Sequence, residues 1–245
     1  MEDQKTLGRS LRAIRAAALR LGALPDLEHT LQAAVSILVS DFDSALADVW
    51  LHEEATNLLH LRAHAGLSSS PPERPPAVID VVRSQSKVGE VARTQTAYIG
   101  NDIRDDAQFD QDWVQSEKIT AAALFPILQG SELRGVLAHF ARQPLGEETT
   151  EALAVFAAIV TASINVQTAA SARDRFFSIA SHELRTPLSP IQLQVQLLLR
   201  AVRGGTLEKI PHERLLEMLE ICDRQIKQLV KLIDDLLNVS RIKTI

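Results

Sequence analysis

His182 is where reactive side chains gather. It lies in Phe176-Phe177-Ser178-Ile179-Ala180-Ser181-His182-Glu183-Leu184-Arg185-Thr186-Pro187-Leu188, a run of helical periodicity. An imidazole, the adjacent carboxylate and a hydroxyl one turn later stand just before a proline. A neutral imidazole is a nucleophile, and an ordinary pKa of about 6.5 leaves much of it neutral at physiological pH. These residues alone leave two readings of His182 open: a nucleophile that accepts a transferred group such as a phosphoryl, and a plain exposed histidine. Glu183 is placed to hydrogen-bond one ring nitrogen, which orients the ring and stabilises charge that develops during attack. Pro187 has no N–H, so the Glu183 carbonyl loses its helical partner and the helix can bend about one turn from His182. Pro190 releases the Thr186 carbonyl in the same way.

The elements that must position this residue are two amphipathic helices. Phe177, Ala180, Leu184, Leu188, Ile191, Val195, Leu198 and Val202 form an apolar stripe spaced 3, 4, 4, 3, 4, 3, 4. This is a heptad seam with one irregular step. At about 100° per residue, His182 falls about 160° from Leu184, on a face shared with Ser178, Thr186, Ser189 and Gln196. Leu193 is the apolar exception on that face. Gly204-Gly205 end the helix. Pro211 and Glu213 suit the start of another, whose stripe is Leu215, Leu219, Cys222, Ile226, Leu229, Ile233 and Leu236. The expected product is a helical hairpin spanning about 171–203 and 211–242. One hairpin buries two such stripes poorly, so the prediction is a homodimer with a four-helix bundle. Cys222 on the stripe reads as core filler.

Composition narrows the rest. The 245 residues suit one or two domains, and 46% are hydrophobic but only 4% aromatic, so the core is built from Leu, Ile, Val and Ala. The net charge of -5 is spread without a like-charge block, which predicts no nucleic-acid surface. One cysteine excludes an internal disulfide and a cysteine-based zinc cluster. The polar Met1-Glu2-Asp3-Gln4 is no signal peptide. The most apolar run, Ala152 to Val160, is shorter than the ~20 residues of a membrane span. These features predict a cytoplasmic protein with no membrane span.

Ahead of the hairpin, residues 6 to 23 show helical spacing (Leu7, Leu11, Ile14, Ala18, Leu21), and a second helix fits Asp26 to Val39 with Asp26 as N-cap. Ala45 to His52 and Leu58 to Ala65 alternate as strands joined by a short polar hairpin. Gly66 to Pro76 is rich in serine and proline and reads as a surface loop. Ala77 to Gln85 suggests a short helix, and another is expected between Gln108 and Glu117. Ala121 to Leu128 and Arg134 to Ala141 form a second hairpin pair around Gln129-Gly130-Ser131-Glu132. Thr149 or Thr150 starts a long helix, whose segment Val166 to Arg175 turns polar. The order describes an α+β unit with an antiparallel sheet of about four to six strands flanked by helices.

Ala47-Asp48-Val49-Trp50-Leu51, Val88-Gly89-Glu90-Val91-Ala92, Phe125-Pro126-Ile127 and Leu133-Arg134-Gly135-Val136-Leu137 follow one another as in a GAF domain, which the region from about 20 to 166 resembles. That resemblance implies a sensor of an unidentified small-molecule or protein signal. The cysteine that would anchor a bilin is absent from this region. Asn101 and Phe109 match the family's cyclic-nucleotide pattern, but Asp102 replaces its Lys and Trp113-Val114 replace its Asp-Glu, which argues against that ligand. His60 and His64 share a strand face and, with His52 or His139, are candidate metal or haem ligands. No carboxylate or cysteine completes such a set, so no metal is predicted.

His182-Glu183-Leu184-Arg185-Thr186-Pro187-Leu188 after Phe176-Phe177 resembles the H-box of the sensor histidine kinases of two-component systems. Leu232-Ile233-Asp234-Asp235-Leu236-Leu237-Asn238-Val239-Ser240-Arg241-Ile242 resembles the second helix of the same domain. The resemblance implies that His182 accepts a phosphoryl group in a high-energy P–N bond and passes it to an aspartate on a response-regulator receiver domain. It implies that Glu183 is the orienting general base. Thr186 would position the water that hydrolyses the phosphoryl group on that regulator, and Pro187 would kink the helix. The expected organisation is an N-terminal helix (1–22), a GAF-like sensor domain (23–166), a helical signal linker (167–175) and a dimerisation and histidine-phosphotransfer domain (176–245). No glycine-rich nucleotide loop occurs, so ATP is used by a catalytic domain outside these residues. This chain alone is not expected to phosphorylate itself. It is read as part of a longer kinase, served by an ATP-binding domain in cis, or as a natural short form served in trans. The alternatives are a non-catalytic phosphotransfer or adaptor dimer, and a structural sensor-coiled-coil module in which His182 is incidental.

Overall fold

A computed structural model describes residues 14, 17–67 and 77–242, with side chains through 235. The chain divides into two units, Met1–Ala169 and Ala170–Ile245.

In the first unit, residues 17–21 are helical, and Ala17 and Leu21 are fully buried. Leu7 and Leu11 lie outside the described residues. Helix α1 (Leu27–Asp41) starts where the Asp26 carboxylate accepts the His29 N–H at 2.9 Å. Strand β1 (Leu46–Glu53) alternates as its sequence requires. Leu46 and Trp50 enter one apolar core, Ala47 and Val49 the other. It pairs antiparallel with β2 (Leu58–Gly66) and with β6 (Glu132–Ala141). A Cβ at Gly135 would overlap the Trp50 carbonyl oxygen, so β6 can lie against β1 only with glycine there. Helices α2 (Lys87–Thr94) and α3 (Gln111–Ser116) are both short, and β4 is Tyr98–Gly100. With β3 (Val78–Asp80) and β5 (Ala121–Gln129), the sheet has six strands in the order β3-β2-β1-β6-β5-β4.

The segment expected to be a short helix at 77–85 is instead β3 followed by a turn. Ile79 is buried and pairs with Leu59, and the Asp80 carboxylate accepts the N–H groups of Val82 and Arg83. That side chain competes with helical hydrogen bonding and closes the turn. The serine- and proline-rich loop falls, beyond Leu67, outside the described residues until Ala77.

Helix α4 runs Glu147–Arg203, starting two residues before the expected threonines because the Gly146 carbonyl accepts the Thr150 N–H. Its first part closes the sheet, with Leu153, Phe156, Val160 and Ile164 buried beside α1. The apolar run does not stop at Thr161 and Ser163. An 18-residue window of mean hydropathy 1.7 makes α4 long and apolar enough to cross a membrane by composition alone. Ser163 and Thr168 return their hydroxyls to the Ile159 and Ile164 carbonyls, so they interrupt the run less than their polarity suggests. A third of that window is buried in the structure.

The second unit is an α-helical hairpin: the remainder of α4, a 3-10 turn at Leu207–Lys209, and α5 (His212–Ile242). Gly205 takes φ +64, a left-handed conformation that glycine adopts without strain, and the Thr206 N–H closes on the Ala201 carbonyl. The Pro211 carbonyl accepts the Leu215 N–H at the start of α5.

Candidate functional site

His182 projects from α4 with 78% of its side chain exposed, beside Glu183 at 55%. Its Nδ1 lies 3.5 Å from Glu183 Oε1. An acceptor at Nδ1 favours the tautomer protonated there, which leaves the Nε2 lone pair for an incoming electrophile. Thr186 donates its hydroxyl to the His182 carbonyl at 3.2 Å, and Ser189 does the same to Arg185 at 3.0 Å. These two bonds bracket Pro187, where the ladder lacks a donor. Pro187 itself is buried. His182, Glu183 and Thr186 therefore form one local group, while Pro187 turns into the hairpin.

The single stripe read from the sequence resolves into two seams. Ala180, Leu184, Pro187, Ile191, Gln194, Leu198 and Ala201 are buried or half-buried within the hairpin, at strict 4, 3 spacing. Phe177, Leu188, Val195 and Val202 remain exposed, as do Leu219, Ile226 and Ile233 on α5. The stripe read from the sequence alternates between the two seams at nearly every step, and only Ala180 and Leu184 are successive members of one seam. Apolar type alone does not distinguish a seam closed within the protomer from one left open.

Pairing also adds Gln228 and Lys231, which no sequence pattern singles out, to Leu232 and Asp235 of the second-helix motif. A groove of about 250 Å³ is lined by Glu183, Thr186 and Pro187 from α4 and by Gln228, Lys231, Leu232 and Asp235 from α5. The antiparallel register that places Pro187 near Gln228 was the missing signal, since it follows from the turn at 204–211. Gln194 is 9% exposed, and its Oε1 meets no hydrogen-bond partner among the described residues. Cys222 is half-buried on α5. On the outer face of α4, Leu193 and Leu197 are 54% and 39% exposed, away from the open seam.

The histidines of the first unit are engaged separately. His52 Nε2 lies 2.8 Å from Asn57 Oδ1, and His60 lies 3.4 Å from the Glu53 carboxylate. His139 is 1% exposed, with Nδ1 2.7 Å from the Ser44 hydroxyl. That hydroxyl donates to the Leu46 carbonyl, so His139 donates to it in turn. Burial pushes the His139 pKa down to about 4. Among the described residues no group of three or more His, Cys, Asp or Glu could hold a metal ion.

Comparison with known proteins follows the same division. The GAF domain family pattern matches residues 25–165, and that of the His Kinase A (phospho-acceptor) domain matches 172–245. No curated protein matches the chain. Among solved structures, the GAF domain of a phosphoenolpyruvate-protein phosphotransferase from Coxiella burnetii is 18% identical with a TM-score of 0.58, covering 68% of this chain and 98% of that one. A free methionine-R-sulfoxide reductase from Neisseria meningitidis is 13% identical with a TM-score of 0.55, covering 66% and 91%. The GAF domain of A. aeolicus NLH2 is 14% identical with a TM-score of 0.54, covering 64% and 96%. At these identities the likeness is one of fold.

Proposed function

Because the chain belongs to the GAF domain family and carries a His Kinase A phospho-acceptor domain, we propose that it is the sensing and phosphoryl-accepting part of a cytoplasmic histidine kinase. A signal at the first unit controls phosphorylation of His182. Nε2 attacks the γ-phosphorus of ATP held by a catalytic domain; the N–P bond forms, the bridging O–P bond breaks, and ADP leaves. Glu183 holds the Nδ1 proton and offsets the positive charge growing on the ring. A receiver-domain aspartate then takes the phosphoryl group, its carboxylate oxygen bonding phosphorus as the N–P bond breaks. In the reverse duty, Thr186 turns its hydroxyl from the His182 carbonyl to a water that hydrolyses the phosphoaspartate. The exposed pair Leu193 and Leu197, continuing from the polar groove, offers the receiver domain an apolar contact. The open seam of Leu188, Val195, Val202, Leu219 and Ile226 takes a second copy of the chain.

The observation that carries the reading is an exposed His182 whose Nδ1 is held by Glu183, on a helical hairpin and off its seam. The test supplies a histidine-kinase catalytic domain with labelled ATP. Acid-labile, base-stable label is expected on the wild-type chain and absent from His182→Gln. Label that persists in His182→Gln would put the phosphoryl group on another residue, and no label with any catalytic domain would leave the hairpin a structural module.

A further inference from the structure

Asn101 holds both backbone polar groups of one distant residue. Its Nδ2 donates to the Leu145 carbonyl at 2.9 Å, and the Leu145 N–H donates to its Oδ1 at 2.6 Å. Such a two-bond clamp fixes a backbone against both rotation and slide. Leu145 is buried and precedes Gly146, whose carbonyl starts α4 by accepting the Thr150 N–H. Asn101 therefore grips the chain two residues ahead of the helix that carries His182.

The far end of the same segment is gripped as firmly. Lys87 is 7% exposed, and its ammonium lies 2.9 Å from Glu90, 3.4 Å from Asp106 and 4.5 Å from the centre of the Tyr98 ring. Burial disfavours that charge, but the bonds to Glu90 and Asp106 outweigh it and hold the Lys87 pKa above its usual value. The Lys87 N–H also reaches the Gln108 carbonyl at 3.1 Å. Gln111 braces the curve between, donating to the carbonyls of Ile103 and Asp106. Ile103 is fully buried, and its N–H bonds the Thr120 carbonyl. Residues 101–110 are thus held at both ends and anchored near one of them.

We propose that residues 101–110 form a lever, anchored at Ile103, that couples the Lys87–Asp106 contact to the start of α4 through Asn101. A signal that separates Asp106 from Lys87 loosens the Leu145 clamp. The coupling stands within the first unit; its consequence for phosphorylation rests on the role proposed for His182.

A double-mutant cycle read by hydrogen exchange tests the lever. Lys87→Met should speed exchange of the α4 amides at 151–156 by about tenfold, within the usual range of coupling between sites. In an Asn101→Ala background those amides should already exchange fast, and Lys87→Met should add less than about twofold. Strands β1 and β6 should stay protected throughout. Independent effects of the two substitutions, no effect of Lys87→Met at 151–156, or equal acceleration across β1 and β6 would each overturn the proposal. Should Asn101→Ala not fold, Asn101→Asp completes the cycle, since it keeps the acceptor for Leu145 N–H and loses the donor. His182 takes no part in this readout, so failure of the lever and failure of the phosphoacceptor role are separately visible.

Discussion

The two units bury their apolar residues in opposite ways. The sheet of the first lies between two cores, with Trp50, Leu59, Leu124 and Val136 buried on one side and Leu31, Val35, Leu153 and Phe156 on the other. The hairpin closes one seam and leaves another in solvent, with Leu219 and Ile226 about half exposed. The first unit covers its apolar residues within itself, whereas the second leaves an apolar face uncovered. The proposed function makes use of this asymmetry: a self-contained detector, and an effector whose stability depends on a second copy.

Four perturbations test the contrast. Trp50→Ala opens a hole at the centre of the sheet and should cost the first unit about 4 kcal/mol. Unfolding followed by near-UV circular dichroism should show it, while the hairpin still dimerises. Acid should act on the same unit. His139 has a folded pKa of about 4 against an unfolded value near 6.5, so its contribution is intact above pH 6.5 and is lost as pH falls towards 4. The loss amounts to about 3 kcal/mol, and it should disappear from the stability–pH curve of His139→Leu measured by urea unfolding. Ile226→Lys places a charge on the open seam. Sedimentation equilibrium should show the dimer weakened about 30-fold, some 2 kcal/mol, with the first unit melting as before. If the mass distribution does not change, the open seam is not the dimer face. The smallest effect should come from Gln194→Leu, which replaces a buried amide whose oxygen meets no partner among the described residues. The hairpin should gain about 1 kcal/mol, read as a higher melting midpoint.

The sequence showed most clearly what depends on neighbours along the chain. Heptad spacing marked both helices and put His182 away from the apolar stripe. Alternation marked β1, β2, β5 and β6, because each runs eight to ten residues. Three-residue strands carry no such pattern, so the sequence of β3 suggests a helix and that of β4 suggests no element. The division of one stripe into two seams was hidden, since Leu184 and Leu188 are the same residue type in different surroundings. Gln228 and Lys231 join Glu183 only through the register of the hairpin. The Asn101 clamp spans 44 residues, and no local pattern foretells a bond between a loop amide and a backbone that far away.

The chain's single thiol has a further consequence. Cys222 sits half-buried on α5, at the 4, 3 spacing of the buried Met218 and the half-buried Gln225, Leu229 and Leu232. A thiol reagent reaches it fully only when the two helices part. The rate of that reaction is a clock for hairpin opening, built into the native sequence and requiring no engineered label. It would time how often the protein breathes at rest, and how far a signal slows or hastens that rhythm.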